Sequence, residues 1–360
     1  MRNVKIRRAA ALLLAAVMSV GMLAGCGKSG DQQVDIELAP VEAPKSDVMD
    51  SLKQDESFLD RTAIPAEDKA ADTGAMTAVT SHDPALALDM MPKADGVHVK
   101  ENEKAIVDYS HTDDGYVMVK WKSEKSSKII KCLIYGPGVN KQEDAWQYDC
   151  EPGQWEVFPL SNGSGKYKLT VYEQLSGDRY ATVLTETLNV SITDEFAPFL
   201  RPNQYVNYQD NAEKALTKAA ELVNKNADVF TNIDAVYHYV VDNFTYDREK
   251  AKTVQSGYVP VLNDVMDAQT GICFDYASLM TAMLRSQGYP CKLVVGYAGT
   301  AYHAWVSVWS EETGWIDGAI FFDGETWQRM DPTFASSGNN SSAILKYIGD
   351  GSHYNARFLY

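Results

Sequence analysis

The spacing of apolar residues changes near Pro202, and this change divides the chain into two regions with different expected folds. Between residues 96 and 192, apolar and polar residues alternate, as in residues 115–122 (GYVMVKWK). This alternation is typical of β-strands that bury one face. After Pro202 the apolar residues recur every three or four positions, which is typical of helices with one buried face. The sequence therefore predicts a β region followed by a region that contains helices.

The β region contains several short strand-like runs that are separated by turn signals. These signals include Gly-Pro-Gly at residues 136–138 and Asn-Gly at residues 162–163. About seven short strands in such a length are typical of an antiparallel sandwich, so we expect residues 96–195 to form an antiparallel β-sandwich that is immunoglobulin- or fibronectin-like. No residue pattern with recognisable chemistry occurs there. The region is interpreted either as a spacer or as a substrate- or wall-binding module.

The first 25 residues have the pattern of an export signal rather than of a folded segment. Basic residues at positions 2, 5, 7 and 8 precede an apolar run at residues 9–23 that is short for a membrane span. The run ends in Leu-Ala-Gly-Cys, which resembles a bacterial lipoprotein signal peptide with Cys26 as the lipidated residue. The alternative is an ordinary cleaved signal peptide. The lipoprotein resemblance implies an extracytoplasmic protein that a lipid anchors to the cell membrane.

Residues 26–95 are acidic and contain few aromatic residues. This composition provides little apolar surface to offset the entropy lost on ordering the chain, so we expect a disordered acidic tether. The whole chain has a formal net charge of −16 at pH 7. Such a charge argues against nucleic acid as a partner.

Two cysteines, Cys132 and Cys150, lie in the β region. On the oxidising side of a membrane, a disulfide between them would persist. The alternative is two separately buried thiols, because the sequence does not show whether the two Cα atoms lie within about 7 Å of each other. The sequence leaves both alternatives open.

Two helices are expected early in the second region, at residues 210–223 and 231–241. Asp210 and Thr231 are the expected capping residues, since an acidic residue follows each of them three positions later. His238 lies beside the apolar stripe of the second helix. It is interpreted as a structural or surface histidine, because no partner motif accompanies it.

A later helix carries a cysteine at its beginning. From Cys273 to Leu284 the apolar residues recur at three- and four-residue spacing. Gly288 ends this helix and Pro290 prevents its continuation. Cys273 therefore lies at a helix N-terminus, where amide N–H groups without helical partners favour a negative charge. With a basic neighbour, a thiol at such a position can have its pKa lowered from ~8.5 to between ~3.5 and ~7.5.

Two short strands downstream supply the partners that a thiolate nucleophile needs. Residues 302–309 alternate like a strand and place His303 near its start. Residues 327–331 form a second strand that ends at Asp331, because Pro332 cannot donate to a ladder. Cysteine, histidine and aspartate, each at the end of a regular element, match the nucleophile, base and orienting group of a catalytic triad. No two Cys or His residues have the spacing of metal ligands, so neither a metal nor another cofactor is expected.

Four motifs occur in a fixed order in this region: GICFDYA at residues 271–277, LRSQGYP at 284–290, YHAW at 302–305 and MDPT at 330–333. Together they resemble the transglutaminase-like superfamily of papain-like cysteine enzymes. The resemblance implies a multidomain chain in which the β-sandwich is followed by an α+β transglutaminase-like domain at residues 200–360. It also implies that Cys273, His303 and Asp331 form the triad.

Several further residues have expected roles around this triad. Gln269 is a weak candidate for an oxyanion donor and is otherwise a surface-loop residue, whereas Trp305 is expected to pack beside the site. Cys291 begins an apolar strand and is interpreted as a core thiol. Residues 311–324 lengthen the connection between His303 and Asp331 and are expected to form an extra or extended hairpin with Asp-Gly at residues 323–324 as its turn. This insertion makes Asp317 and Asp323 secondary candidates for the orienting carboxylate.

The expected function is that of a surface-anchored cysteine acyl hydrolase or acyl transferase that acts on peptide-type amides through a thioacyl intermediate. Such an enzyme would be of the peptidase or transglutaminase type, with protein or cell-wall peptide as the substrate. The alternative is a non-catalytic lipoprotein that serves in adhesion or scaffolding. A solute-binding lipoprotein fits less well, because the chain lacks the alternating βαβ units of two-lobed binders.

Overall fold

The computed structural model describes residues 35–44, 90–298, 301–311, 314–322, 327–329 and 354–360. The expected lipoprotein signal, Cys26, most of the expected tether and Asp331 lie outside the described residues. Within the described part of the chain, no helix is both long and apolar enough to cross a membrane. Antiparallel sheets dominate this part, and the helices are concentrated between residues 213 and 285.

Two antiparallel sheets form the first part of the fold. Their strands are β1 (Asp35–Glu37), β2 (Val99–Glu101), β3 (Ala105–Asp108), β4 (Tyr116–Trp121), β5 (Ile130–Tyr135), β6 (Trp146–Cys150), β7 (Trp155–Pro159), β8 (Gly165–Ser176) and β9 (Arg179–Val190). One sheet has the order β1-β9-β8-β5-β6 and the other the order β2-β3-β4-β7. Short 3₁₀ turns at Thr112–Asp114, Gln142–Asp144 and Ala197–Phe199 connect or follow these strands.

The alternation in the sequence explains how the two sheets pack. Val107 and Val119 from the four-stranded sheet share one buried cluster with Ile134 and Val171 from the five-stranded sheet. Because successive side chains on a strand point to opposite faces, Leu133 lies on the outer face of the five-stranded sheet. The structure thus has two packed antiparallel sheets in the region that the sequence predicts to be β.

The cysteines of this region are separately buried thiols. Cys132 and Cys150 are both free and lie on neighbouring strands. The register pairs Cys132 with Tyr148 and Cys150 with Ile130, so the two thiols are offset along the ladder. Of the two alternatives that the sequence leaves open, the structure shows the separate thiols.

The second part of the fold combines helices with a third large sheet. The helices are α1 (Glu213–Leu222), α2 (Val229–Asn243), α3 (Arg248–Thr253), α4 (Leu262–Ala268) and α5 (Cys273–Arg285). The strands are β10 (Thr245–Tyr246), β11 (Thr270–Gly271), β12 (Cys291–Ala298), β13 (Ala301–Ser310), β14 (Gly314–Phe322), β15 (Trp327–Arg329) and β16 (Tyr354–Leu359). The large sheet is antiparallel in the order β15-β14-β13-β12-β16, whereas β10 and β11 form a short parallel pair.

The insertion after His303 extends this sheet. Trp309 of β13 pairs with Trp315 of β14, and Phe322 of β14 pairs with Trp327 of β15. The insertion is therefore an extension of the antiparallel sheet, as the expected hairpin requires. The expected turn at residues 323–324 lies outside the described residues.

Helix α5 is the central element of the second part. All of its side chains are buried, and it packs against β12, β13, α1 and α2. Its N-terminal residues follow β11 directly, and Gly288, with φ 86°, lies in the turn after its C-terminus. A helix that is buried on every side cannot be stable alone, so its position is determined by the elements that surround it.

One buried arginine fastens the end of α5 to three other segments. Arg285 is fully buried, and its guanidinium donates to the carbonyl oxygens of Cys291 at 2.7 Å, Arg201 at 2.7 Å and Tyr360 at 2.5 Å. Burial lowers its pKa to about 10, so the group remains a cation at neutral pH. The guanidinium is therefore compensated by carbonyl dipoles, and it joins α5 to β12, to residue 201 and to the end of β16.

The sequence predicts the bodies of α1 and α2 but not their first residues. Helix α1 begins at Glu213, and the Lys214 amide in its first turn donates to the side-chain oxygen of Asn263 at 3.2 Å. Helix α2 is capped by Asp228, whose carboxylate accepts the Thr231 amide at 3.0 Å. The capping residues predicted at Asp210 and Thr231 are therefore wrong, because a tertiary contact and an earlier carboxylate take these roles.

Residues 35–44 differ from the disordered tether that composition predicts. Strand β1 pairs with β9, and Leu38 and Ala43 are buried. Mean composition cannot show that the side chains of Leu38 and Ala43 pack against distant parts of the chain. This segment is therefore part of the folded structure.

We predict that Arg285→Met lowers the free energy of unfolding by about 3 kcal/mol or more. The substitution removes three charge-assisted hydrogen bonds to buried carbonyl oxygens. Urea unfolding followed by tryptophan fluorescence measures this loss.

Lys218→Met is the matched control, because the contacts of the Lys218 ammonium lie at the surface: an ion pair with Glu221 one turn along α1 and a contact with the Tyr239 ring. Its effect should stay within about 0.5 kcal/mol. Equal effects of the two substitutions would contradict the role assigned to Arg285.

Candidate active site

Cys273 is the first residue of α5, and its side chain is fully buried. The amide groups of Ala304, Phe274 and Cys273 itself lie near its sulfur and lower the pKa of the thiol. Two of these amides belong to the helix N-terminus, where the first N–H groups have no helical partner. The third belongs to β13. The sulfur therefore lies where the beginning of α5 meets the third sheet.

A buried carboxylate holds the turn that carries Cys273. Asp275 is fully buried and accepts the Ile272 amide at 2.8 Å and the Lys250 ammonium at 2.7 Å. The Tyr258 hydroxyl also donates to this carboxylate. Asp275 thus closes the first turn of α5 and binds a cation from α3, which fixes the direction of the nucleophile-bearing turn.

Only a glycine fits at position 271, because the Asp275 carboxylate leaves no space for a Cβ atom. A Cβ atom at position 271 would lie 2.8 Å from Cβ and 2.9 Å from Oδ2 of Asp275. Contacts this short do not occur for real side chains, so any larger residue would displace the carboxylate. The glycine that precedes the cysteine in the sequence motif therefore permits Asp275 to approach.

His303 lies on β13, directly before the residue whose amide contacts the sulfur. It pairs with Gly296 of β12 and is fully buried. Trp305, two residues further along β13, is also buried, and its ring stacks with the imidazole at a centroid distance of 6.4 Å. The structure therefore brings the His303 position to the beginning of α5. Asp331, the expected third member, lies outside the described residues.

The thiol is neutral in this structure. Burial raises the pKa of Cys273 to about 12, and the nearby Asp275 carboxylate adds to the increase. The Ala304 amide and the helix amides lower the pKa but do not compensate for lost solvation. The Cys273 thiol instead donates to the carbonyl oxygen of Pro44 at 3.3 Å. The lowered pKa that the sequence predicts is therefore not found in this closed arrangement, because the thiol is excluded from water.

The secondary candidates occupy different kinds of positions. Gln269 is exposed and ends α4 in the left-handed region, with φ 47° and ψ 37°. Its backbone carbonyl accepts the Thr245 amide at 3.0 Å, so its main chain links α4 to β10. Asp317 lies on β14, and Asp323 lies outside the described residues.

Cys291 and His238, which also have reactive side chains, lie in surroundings that suggest no catalytic role. Cys291 is a free, buried core thiol, as the sequence predicts. His238 is about half exposed and lies between Asp234 and Asp242 of its own helix, with nitrogen–oxygen distances of 3.6 and 3.3 Å. Within the described part of the chain, no group of three or more His, Cys, Asp or Glu residues is arranged to hold a metal ion.

Sequence reasoning missed two parts of this site. Asp275 stands inside the cysteine motif, but its contact with Lys250 depends on a helix 25 positions away. Pro44 lies 229 positions from Cys273, in a segment with the composition of a tether. The one available signal was the apolar pattern of Ile36 and Leu38, which alternates like a strand in an otherwise acidic stretch.

Comparison with known families agrees with this geometry. The sequence model of the Transglutaminase-like superfamily matches residues 216–332. This span contains Cys273, His303 and Asp331, together with helices α2 to α5 and strands β10 to β15. The chain therefore contains a transglutaminase-like domain, as the four ordered motifs indicate.

Particular relatives are similar to the chain over part of their length. The uncharacterised protein YebA of Bacillus subtilis is 23% identical over 181 residues, which cover 45% of this chain and 25% of that protein. The uncharacterised protein Rv2569c of Mycobacterium tuberculosis is 32% identical over 131 residues, which cover 32% of this chain and 36% of that protein. The chain thus spans between a quarter and about a third of these curated relatives.

Among solved structures, the periplasmic domain of TgpA from Pseudomonas aeruginosa bound to ethylmercury is similar at 16% sequence identity, with a TM-score of 0.27. The alignment covers 65% of this chain and 97% of that domain.

We predict that Cys273→Ala makes the loss of stability at high pH less steep. The folded-state pKa of about 12 is above the ordinary value of 9.0, so the unfolded chain loses the thiol proton first as the pH rises. The stability that this neutral thiol contributes is fully present below about pH 9 and is lost as the pH approaches 12. Each such thiol contributes a slope of up to about 1.4 kcal/mol per pH unit in this window.

Urea unfolding at intervals between pH 8 and 11 measures this slope. Cys291→Ala is the matched control, because burial also raises the pKa of Cys291 to about 12. The two substitutions should reduce the slope equally. An unchanged slope in Cys273→Ala alone would mean that Cys273 already ionises in the folded protein.

Proposed function

We propose that this protein is a cysteine acyl hydrolase or acyl transferase that acts on peptide-type amides through Cys273, His303 and Asp331. One observation carries the proposal: the Cys273 sulfur lies at a helix N-terminus and beside the backbone of Ala304, the residue that follows His303. This arrangement places a nucleophile beside the backbone of its base. The match of residues 216–332 to the transglutaminase-like superfamily supports the same roles.

In the first half of the reaction, the His303 imidazole accepts the thiol proton of Cys273. The sulfur then attacks the carbonyl carbon of the amide, and the new carbon–sulfur bond gives a tetrahedral intermediate. Amide groups at the beginning of α5 would donate to its oxyanion, and one such donor is typically worth on the order of 3 kcal/mol. The carbon–nitrogen bond breaks, the imidazolium gives its proton to the leaving nitrogen, and a thioacyl enzyme remains.

In the second half, an acceptor attacks the thioacyl carbon. The imidazole takes a proton from the acceptor, the carbon–sulfur bond breaks, and Cys273 regains a proton. Water as the acceptor gives hydrolysis, whereas a primary amine gives transamidation. Asp331 would hold the imidazole in the required orientation throughout, which is a positioning role.

We also propose where the enzyme acts. The signal-like residues 1–25 and Cys26 support a lipid-anchored protein on the outer side of the cell membrane, with protein or cell-wall peptide as the substrate. The two packed antiparallel sheets support an immunoglobulin- or fibronectin-type sandwich before the catalytic domain.

The complete burial of the Cys273 thiol favours a second candidate function. A thiol with a pKa of about 12 is not a nucleophile at neutral pH, as would hold for a non-catalytic adhesion or scaffolding lipoprotein that has kept the fold. The two candidates differ in turnover, which the following experiment measures.

We predict that Cys273→Ala abolishes product formation and that His303→Ala lowers kcat/KM by roughly 10²–10⁴-fold, because general-base catalysis has that magnitude. Asp331→Asn should lower kcat with little change in KM, since it acts through the imidazole. The assay offers a peptide library to the full chain, with and without a primary amine, and identifies the products by mass spectrometry.

Cys291→Ala and His238→Ala are the controls, and both should retain the activity of the unaltered chain. Amine-containing products would identify a transferase, whereas cleaved peptides alone would identify a hydrolase. Product formation by Cys273→Ala at the unaltered rate would contradict the thioacyl mechanism.

The proposed anchor gives a further prediction. Cys26→Ser should move the protein from the membrane fraction of expressing bacteria to the soluble extracytoplasmic fraction, because the Cys26 sulfur would carry the diacylglyceryl group of the proposed anchor. Incorporation of a labelled fatty acid measures the modification directly. Equal labelling of the Cys26→Ser chain would contradict a lipid anchor at this residue.

A further inference from the structure

Residues 35–44, which we call the strap, connect the outer surface of the first part of the fold to Cys273. The strap begins as strand β1, which pairs with β9. It ends at Pro44, whose carbonyl oxygen accepts the Cys273 thiol at 3.3 Å. Ala43 and Pro44 are both buried, so the end of the strap lies inside the fold beside the nucleophile.

A single leucine anchors the strap to the five-stranded sheet. Leu38 is fully buried and packs with Leu133, Tyr172 and Tyr180. This cluster lies on the outer face of the sheet and is separate from the main core. Its apolar surface is therefore covered by the strap rather than by the packing of the two sheets.

The strap accepts hydrogen bonds from the edge of the sandwich through its main-chain carbonyl oxygens. The side-chain amide of Gln142 donates to the Glu37 carbonyl at 2.7 Å, and that of Gln147 donates to the Ala39 carbonyl at 2.5 Å. The accepting carbonyls are two residues apart, as expected for one edge of an extended chain.

The next carbonyl in the same series is bound by the catalytic domain. The Gly257 amide and the Ser256 hydroxyl both donate to the Val41 carbonyl at 2.8 Å. Both donors lie between α3 and α4, three and four residues before Pro260. Backbone carbonyls are common to all peptides, so donors directed at alternate carbonyls recognise an extended chain through its main chain.

We propose that the strap occupies the peptide-binding groove of this enzyme and that an extended polypeptide must displace the strap before Cys273 reacts. This inference rests on the proposed role of Cys273 as the nucleophile. The substrate is an unfolded segment of polypeptide with an aliphatic side chain at the place of Leu38. The strap is then an intramolecular inhibitor that resembles this substrate.

The contact with Cys273 distinguishes this role from that of a structural tie. The Pro44 carbonyl is hydrogen-bonded to the sulfur atom that a substrate carbonyl must approach. While it remains there, the thiol is buried, and burial raises its pKa to about 12. Displacement of the strap would return the sulfur to water, where the helix amides and the Ala304 amide can lower the pKa again.

The groove also gives the sandwich a role in substrate binding. Gln142 and Gln147 belong to the first part of the fold, and they donate to the strap beside donors from the catalytic domain. The peptide-binding groove is therefore formed by both parts of the chain. This favours a substrate-binding sandwich over a simple spacer.

The test compares the alkylation of Cys273 in two adjacent strap variants of the full chain. Leu38→Asp places a charge in the apolar anchor cluster, whereas Ala39→Asp places the same charge at an exposed neighbouring position. The rate of labelling by iodoacetamide at pH 8 should rise roughly 10- to 100-fold in Leu38→Asp, because loss of the buried leucine increases the open fraction by about that factor. Ala39→Asp should label as slowly as the unaltered chain.

Mass spectrometry assigns the label to each cysteine, and Cys132, Cys150 and Cys291 report on the folded state. If all four thiols react quickly in Leu38→Asp, the variant has unfolded, and Gln142→Ala combined with Gln147→Ala replaces it. That double substitution leaves the strap unchanged and removes two groove donors. Equal labelling of Cys273 in every folded variant and in the unaltered chain would overturn the proposal.

A synthetic peptide of residues 35–44 tests whether the groove binds a peptide. Added to the Leu38→Asp chain, it should slow the alkylation of Cys273 in a saturable manner. The same peptide with Leu38→Asp should give no protection. Lack of protection by the unaltered peptide would overturn the assignment of the groove as a peptide-binding site.

Turnover separates the failure of this inference from the failure of the proposed function. Faster alkylation in Leu38→Asp without any product, with or without an amine, would support the strap as a cover of Cys273 but overturn catalysis and, with it, the substrate assignment. Equal turnover and equal alkylation in the unaltered chain and Leu38→Asp would support catalysis but overturn the strap as an inhibitor.

Discussion

The complete burial of helix α5 is the constraint on which the rest of the structure depends. Polar groups at both ends of a buried helix require partners, and this chain supplies a different kind at each end. At the N-terminus the Asp275 carboxylate accepts the Ile272 amide, and after the C-terminus the Gly288 and Tyr289 amides donate to the carbonyl oxygens of Arg285 and Leu284. The Arg285 guanidinium also ties this end of the helix to carbonyl oxygens of three other segments. These contacts fix the helix along its axis, and therefore they also fix the position of Cys273 against β13.

The burial that positions Cys273 also opposes the reactivity that we propose for its thiol. Transfer of a thiolate out of water is unfavourable, and the amides around Cys273 do not offset that loss, so its pKa is raised to about 12. In a site built only from α5 and β13, the burial that holds Cys273 in place would also keep its thiol unreactive. In the proposed mechanism the strap removes this conflict, because main-chain hydrogen bonds and the Leu38 cluster hold it in place, and another peptide can replace both.

The sequence predicts the elements whose signals are local. The helix that begins at Cys273 and the strand that carries His303 follow from periodicity and from glycine and proline positions. The first residues of α1 and the fold of the strap could not be predicted, because they depend on contacts between distant positions. Asn263 binds Glu213 from another helix, and Pro44 reaches Cys273 across most of the chain.

Aromatic side chains of the first and second parts of the fold pack together, and these contacts indicate which part of the molecule can move. Tyr148 of the sandwich stacks with Tyr205 and contacts Tyr360 at the end of the third sheet, with ring centroids 5.7 and 5.9 Å apart. Trp146 of the same strand donates to the Leu359 carbonyl at 3.3 Å. Separation of the two parts would expose these aromatic side chains together, at a large cost in apolar burial. The buried side chains of the strap are those of Leu38, Ala43 and Pro44. The proposed displacement of the strap leaves the aromatic contacts between the two parts intact, so it opens the groove at lower cost than rotation of one part against the other.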